Sequence, residues 1–314
     1  MHDDITDIPN IRVGHDTNIA AGTGCTIIIC DTPAIGGVDV RGGAPATRET
    51  DLLRPLHMVE EVHAILLTGG AAFGLDAAGG VMRYLEEHNI GFDVGVARVP
   101  IVPAAAIFDL GFASPSVRPD AAAGYRACEQ ATAETLAQGN VGAGTGATVG
   151  KLLGPGFMMK GGLGSASLRM DDGTMVGAIV AVNAVGDVID PQTQQILAGA
   201  RNPIGGFIAS NPFGNTTIAV VATSAHLSKD AINKVAQMAH NGIAQVIRPA
   251  HTMFDGDTVF SLSLGTPPQS RPDPATTALK ISMIGAAAAT TLARAILKAV
   301  RSATELHGVP AAQT

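Results

Sequence analysis

The sequence contains no tryptophan and few aromatic or charged residues. Aromatic side chains make up 4% of the 314 residues and charged ones 15%, whereas hydrophobic residues reach 46%. The mean hydropathy of +0.27 predicts a large interior or a buried subunit contact. The net charge is −7 and there is no block of lysine or arginine, so we expect no nucleic-acid partner, because phosphate binding needs clustered cations.

Cysteine is also scarce. Cys25, Cys30 and Cys128 are the only three, and no two of them have C-x-x-C spacing. This argues against a disulfide framework and against a thiolate zinc site, and predicts plain core or surface thiols. The pattern of His251, Asp255 and Asp257 raises a metal site as an alternative, but no second histidine cluster supports it. We therefore expect a surface turn or a hydrogen-bonding role there, and no metal.

Neither a signal peptide nor a membrane span is predicted. Residues 1–4 are acidic and lack the basic start and apolar run of a signal peptide, so cytoplasmic residence is expected. The most apolar stretch, 281–300, is rich in alanine and carries Arg294 and Lys298. It is therefore interpreted as a buried helix, with no membrane partner.

Glycine-rich turns separate short periodic segments, which is typical of a layered α/β protein. Runs rich in β-branched residues predict strands at 25–30, 64–67, 175–183 and 217–223. Apolar residues spaced by three and four predict helices at 75–88, 119–138, 228–248 and 274–302, with Ser228 as an N-cap and Pro119 at a first helical position. Residues 142–147 fit a loose dinucleotide pattern, but a helix is predicted before them where that motif needs a strand, so no cofactor is expected.

One junction stands out between a loop and a strand. The segment 190–215 is dense in glycine and proline and predicts a loop. It leads through Gly214 and Asn215 to Thr216 and Thr217, two hydroxyls at the start of an apolar strand. Considered alone, this favours an ordinary strand start, because threonine is common in strands.

Six stretches in order along the chain give that junction another meaning. They are ITDIPNIRVGH (5–15), DVRGGAP (39–45), LTGGAAFGL (67–75), GAGTGATVGK (142–151), GNTTI (214–218) and DGDT (255–258). Together they resemble the L-aminopeptidase/D-esterase family, which includes the β-aminopeptidases and the nylon-oligomer hydrolases. The resemblance implies a single domain over 1–314 with a four-layer αββα sandwich of the N-terminal-nucleophile hydrolase type.

The same resemblance implies self-cleavage. Asn-Thr-Thr at 215–217 is similar to the nylon-oligomer hydrolase branch, in which the first threonine becomes a new N-terminus. The cut maps to the bond between Asn215 and Thr216, giving chains 1–215 and 216–314. The implied substrates are small peptides, amino-acid amides or ω-amino-acid oligomers, and the implied assembly is a tetramer of processed heterodimers.

Threonine chemistry suits this arrangement. A threonine hydroxyl is a poor nucleophile unless a base takes its proton. A strained loop held beside a buried strand can press the Thr216 hydroxyl against the carbonyl of Asn215, so that an N-to-O acyl shift and ester hydrolysis release an amine on Thr216. An α-amine has a pKa of about 7.7–8.0 in model peptides. It can then act as the general base for its own hydroxyl.

The family pattern assigns four further residues. Lys151 matches a lysine beside the nucleophile, and Asn183 matches an oxyanion-hole donor; the alternatives are a surface lysine and a structural amide. Asp255 and Asp257 match a carboxylate pair that hydrogen-bonds the nucleophile and its amine, with Asp255 favoured because Asp257 also suits a turn cap.

One departure from the family pattern leaves other functions open. Several relatives have a tyrosine where this chain has Phe108, and a phenyl ring cannot donate a hydrogen bond to an oxyanion. Asn183 and backbone N–H groups must then stabilise the oxyanion, or the substrate range differs. The alternatives are an acyltransferase of the ornithine acetyltransferase type, which has Ala-Thr-Met at its cut, and an uncleaved homologue without catalysis.

Overall fold

The computed structural model describes residues 1–200, 215–269 and 273–312. Its helices are α1 (Ala77–Glu87), α2 (Ala121–Glu129), α3 (Lys229–Val246) and α4 (Pro274–Ser302). Its strands are β1 (Ile11–Asn18), β2 (Thr23–Val40), β3 (Thr47–Arg48), β4 (Glu61–Thr68), β5 (Phe92–Asp93), β6 (Arg98–Val99), β7 (Ala104–Ala106), β8 (Thr148–Val149), β9 (Met159–Lys160), β10 (Gly162–Arg169), β11 (Met175–Asn183), β12 (Asp187–Ile189), β13 (Ile196–Ala198), β14 (Thr216–Thr223), β15 (Ile247–Arg248) and β16 (Thr258–Ser263).

The long strand β2 connects two halves of the main sheet. The sheet has the order β10-β11-β14-β16-β2-β4-β7-β3, with β1 also paired to β2. Residues 35–40 of β2 pair with β16, and residues 25–29 pair with β4. The register shifts between Ile29 and Ala34, and an irregularity of this kind bends a strand. The bend allows the two halves to face each other.

Alternation along the strands sorts the core into layers. On β14, Val221 packs in the cluster formed with α3 and α4, whereas Val220 points to the inner layer between the sheet halves. On β2, Ile27 packs with α1 and α2, whereas Ile28 joins the same inner layer. Side chains with a period of two alternate between faces in this way. The layers are helix, sheet, sheet and helix, which confirms the predicted αββα sandwich.

Most predicted elements are present, but α2 is shorter than predicted. Residues 130–138 are not helical, so this part of the prediction is wrong. Thr132 exchanges two backbone hydrogen bonds with Val13, and the Leu136 N–H donates to the buried carboxylate of Asp4. These contacts with the N-terminal segment outweigh local helix propensity.

Three other details differ from the sequence predictions. Pro119 is not at a first helical position, because α2 begins at Ala121 with Asp120 as its N-cap. Ser228 occupies the N-cap position of α3, but its side chain makes no capping hydrogen bond. The predicted loop 190–215 lies largely outside the described residues, and its described part contains β13, which pairs with β12.

The apolar helix α4 lies against the rest of the protein. Its length and composition would suffice to cross a membrane, yet 67% of its most apolar window is buried within the chain. It packs on α3, β10 and β11. On its surface, Arg294 and Lys298 form ion pairs with Asp3 at 2.9 and 2.7 Å. The predicted buried helix is confirmed.

The cysteines are core thiols. Cys25, Cys30 and Cys128 are all buried and free. Burial raises the pKa of Cys30 and Cys128 to about 12, which keeps them as unreactive thiols at neutral pH.

Candidate active site

The sheet brings distant predicted site residues together at the start of β14. This strand pairs antiparallel with β11 and parallel with β16. Thr216 lies opposite Asn183 in the first pairing, and Asn215 forms a bridge with Asp255 beside the second. All four residues are buried, each less than 5% exposed. Gly214, which precedes them, lies outside the described residues.

The peptide bond between Asn215 and Thr216 is held from two sides. The Thr216 hydroxyl donates to the carbonyl oxygen of Asn215, and the Gly256 N–H donates to the same oxygen at 3.0 Å. Gly256 has no side chain to obstruct this approach. A Cβ at position 256 would lie 2.9 Å from Thr216 Oγ1 and 3.0 Å from the Ala44 carbonyl oxygen. Any larger residue at position 256 would therefore force the Thr216 hydroxyl or the neighbouring backbone to shift.

Asp257 anchors the first residues of β14. One carboxylate oxygen accepts the Thr217 N–H at 2.7 Å, and the other accepts the N–H and Nδ1 of His251 at 2.9 and 2.8 Å. The His251 ring in turn meets the His240 ring edge to face, with centroids 4.8 Å apart. Of the two expectations for these residues, the hydrogen-bonding role is confirmed and the surface turn is wrong, because Asp255 and Asp257 are buried. Within the described residues, no group of three or more histidine, cysteine or acidic side chains could hold a metal ion.

Asp255 makes different contacts from its neighbour. Its carboxylate accepts the N–H of Thr252 at 2.8 Å and also the Thr252 hydroxyl. Burial, together with the negative charge of Asp257, raises the pKa of Asp255 above its usual range. The sequence favours Asp255 over Asp257, whereas the contact to the backbone next to Thr216 comes from Asp257.

Lys151 points to Asn183. Its ammonium donates to the Asn183 side-chain oxygen at 2.7 Å and to the Asn183 carbonyl at 3.0 Å. Burial lowers the pKa of Lys151 to about 7, and the negative charge of Asp255 partly opposes the shift. Near neutral pH this lysine therefore exists in both the charged and the neutral form.

The amide of Asn183 is oriented at both ends. Its oxygen also accepts the Thr148 N–H at 3.0 Å, and its nitrogen donates to the Phe108 carbonyl at 3.1 Å. Phe108 thus contacts the site through its backbone, while its side chain is 40% exposed. The position that departs from the family pattern still helps to orient the predicted oxyanion donor.

Several residues of the site are not predicted from the sequence. In the sequence, only its position between the two predicted aspartates points to Gly256. Thr148 lies within a matched stretch, but nothing in the sequence shows that its N–H binds Asn183. A hydrogen-bonding role is among the expectations for His251, but its partner Asp257 becomes visible only in the fold.

Two solved structures with similar folds carry the names of hydrolases. A β-aminopeptidase from Burkholderia sp. has a TM-score of 0.75 and 24% identity, covering 100% of this chain and 91% of that chain. An L-aminopeptidase D-Ala-esterase/amidase from Ochrobactrum anthropi, described as a variant of the Ntn hydrolase fold, has a TM-score of 0.73 and 19% identity, covering 98% and 88%. The fold is thus that of the N-terminal-nucleophile hydrolases, as predicted.

The chain belongs to peptidase family S58, whose model matches residues 3–313. An uncharacterized aminopeptidase of Mycobacterium tuberculosis is 44% identical over 340 aligned residues, covering 98% of this chain and 96% of that protein. A 6-aminohexanoate-oligomer endohydrolase of Paenarthrobacter ureafaciens is 32% identical, covering 82% and 74%. The protein is a hydrolase that acts on amide bonds, which confirms the family resemblance found in the sequence.

Proposed function

We propose that the chain cleaves its own Asn215–Thr216 bond and then hydrolyses amides with the freed Thr216 as nucleophile. The observation that carries this proposal is the contact between the Thr216 hydroxyl and the Asn215 carbonyl, with the Gly256 N–H on the same oxygen. Holding a nucleophile against a carbonyl replaces a chance encounter by a fixed geometry, which lowers the reaction barrier.

Self-cleavage proceeds by an acyl shift followed by hydrolysis. Thr216 Oγ1 loses its proton to a base and bonds to the Asn215 carbonyl carbon, and the Gly256 N–H stabilises the negative oxygen that develops. The carbon–nitrogen bond then breaks as the Thr216 nitrogen takes up a proton. Water hydrolyses the resulting ester and leaves a carboxylate on Asn215 and a free amine on Thr216.

The base for this first step cannot be the Thr216 amine, because that nitrogen is still part of a peptide bond. Lys151 is the candidate, because burial lowers its pKa to about 7 and it contacts Asn183, the residue opposite Thr216 in the sheet. In later turnovers the freed amine takes over as the base for its own hydroxyl. Asn183 donates to the substrate oxyanion, and the two aspartates orient the amine and the start of β14.

The relatives suggest the substrate class. They include aminopeptidases and hydrolases of 6-aminohexanoate oligomers. We therefore propose that the acyl group transferred to Thr216 comes from a small peptide, an amino-acid amide or an ω-amino-acid oligomer. A tetramer of processed heterodimers and cytoplasmic residence remain predictions.

Intact mass under denaturing conditions tests the proposal. After incubation near neutral pH, we expect two chains whose masses correspond to 1–215 and 216–314. A single chain of full mass after prolonged incubation would contradict self-cleavage and favour the uncleaved homologue.

The rate of self-cleavage should depend on pH through Lys151. The pKa of this lysine is lowered to about 7, so its basic form is lost as the pH falls below that value. Below pH 7 we expect the rate to fall by about tenfold per pH unit, and above it to level off. Timed mass spectra of freshly refolded precursor at a series of pH values provide the measurement.

Lys151→Arg is the matched variant for this test, because arginine retains the positive charge but does not release its proton. We expect the variant to remain uncut throughout the pH range. A wild-type rate that stays constant between about pH 5.5 and pH 8 would exclude Lys151 as the base.

A further inference from the structure

A second buried lysine lies next to the site and has no role in the steps above. Lys160 at the end of β9 is completely buried, and its ammonium donates to the carbonyls of Thr145 and Ala147 at 2.7 and 2.8 Å. It also lies 4.3 Å from the centre of the Phe112 ring. Burying an ammonium is costly, and two neutral carbonyls and a ring only partly replace its hydration. A buried charge of this kind calls for an explanation.

Asp109 packs against the same backbone segment. The residue is buried, and its carboxylate accepts the Thr23 hydroxyl at 2.7 Å and the Gly70 N–H at 2.6 Å. A Cβ added to Gly146 would be 2.9 Å from this carboxylate. Gly146 stands between the two residues whose carbonyls bind Lys160. The ammonium and the carboxylate therefore attract each other across this segment.

The segments held by these two charges are the ones that orient Asn183. Thr148, whose N–H donates to the Asn183 oxygen, directly follows Ala147. Phe108, whose carbonyl accepts from the Asn183 nitrogen, directly precedes Asp109. Each end of the amide is thus bound by a residue next to one of these contacts: Thr148 follows a carbonyl that binds the Lys160 ammonium, and Phe108 precedes the residue that carries the buried carboxylate.

We propose that Lys160 and Asp109 are positioning residues, which clamp these two segments and so fix the amide of Asn183 and the Lys151 ammonium bound to it. Their effect on catalysis rests on the proposed function, whereas their effect on the Asn183 amide does not. Burial lowers the pKa of Lys160 to about 7 and raises that of Asp109, which agrees with a pair kept at a cost in desolvation.

The test compares Lys160→Met with a matched control. Methionine has a similar length but lacks the charge and the hydrogen bonds. The control is Lys229→Met, because Lys229 is 4% exposed and its ammonium donates to three backbone carbonyls at 2.7–2.9 Å, none of them in the site. A purely structural role for Lys160 would make the two variants behave alike.

The direct readout is the side-chain amide signal of Asn183. Full-length protein labelled with ¹⁵N-asparagine gives this signal, and Asn183→Ser identifies it by its loss. We expect Lys160→Met to shift the signal and Lys229→Met to leave it in place. Asp109→Asn, which keeps the shape of the side chain, should shift it as well and serves as the second variant if Lys160→Met does not fold.

The kinetic readout is the rate of amide hydrolysis by the mature enzyme. For Lys160→Met we expect kcat to fall by about tenfold or more, within the roughly 100- to 1000-fold effect of losing one oxyanion donor, with KM nearly unchanged. In an Asn183→Ala background, the same change should cause little further loss, because both act through one amide.

An unshifted Asn183 signal in folded Lys160→Met, or the same shift in Lys229→Met, would overturn the positioning role. So would full additivity with Asn183→Ala. Measurements on the wild type distinguish a failure of this inference from a failure of the proposed function. An uncut, inactive wild type would refute self-cleavage. The Asn183 amide signal would still decide whether Lys160 and Asp109 position Asn183.

Discussion

Thr216→Ala will leave the chain uncut and without amidase activity. Alanine removes the hydroxyl that contacts the Asn215 carbonyl, so neither the acyl shift nor the later acyl-enzyme can form. The expected loss of turnover is on the order of 10⁴-fold or more, as removal of a nucleophile causes in other hydrolases. Intact mass and release of an amide product measure the two effects on the same sample.

Neighbouring variants make this result specific. Thr217 is equally buried, and its hydroxyl has no hydrogen-bond partner among the described residues, so Thr217→Val should be cut like the wild type. Thr216→Ser keeps a hydroxyl and should be cut, because serine can perform the same acyl shift. If Thr216→Ala were cut at the same bond, or if Thr217→Val alone blocked the cut, Thr216 would not be the nucleophile.

Gly256→Ala should trap the precursor although the fold is preserved. The backbone of Gly256 is not in the left-handed region, so alanine can adopt its conformation. Its methyl group would nevertheless lie 2.9 Å from Thr216 Oγ1 and must displace that hydroxyl or the Gly256 N–H from the Asn215 carbonyl. We expect self-cleavage to slow by about 100-fold, the effect of losing one oxyanion donor.

The control for this variant is Gly79→Ala on α1. A Cβ added to Gly79 meets nothing within 4 Å, so the same substitution there should leave self-cleavage unchanged and stabilise the helix by about 0.5–1 kcal/mol. The measurements are the half-life of the precursor by mass spectrometry and the thermal midpoint. Normal cleavage of a folded Gly256→Ala protein would show that the approach of Thr216 tolerates the methyl group.

Local patterns in the sequence predict much of the framework. The bounds of β11 and α4 are those predicted, because each is a long segment whose pattern agrees with its burial. The end of α2 is not predicted, because hydrogen bonds to Val13 and Asp4, more than a hundred residues earlier, decide it. Periodicity carries no information about such partners.

Local patterns do not reveal the candidate site. The residues around Thr216 by themselves favour an ordinary strand, and only the family resemblance gives its hydroxyl a chemical role. The resemblance names Lys151 and Asn183, but not the contact between them, which depends on how the segment after β8 packs against the end of β11. Neither local patterns nor the family resemblance indicates a role for Lys160. A single lysine between glycine-rich segments predicts a solvated side chain, and only the fold shows that this one is buried.

The position of Thr216 in the sheet has a consequence for the amine that a cut would create. Chain ends are ordinarily the most mobile part of a protein, and recruiting one for chemistry would require it to be ordered each time. Here the new end would begin a strand with a neighbour on each side, and the next residue's N–H is already bound by Asp257. Cleavage would thus produce a terminus that the sheet already holds in place, with its nitrogen and hydroxyl beside the position of the broken bond.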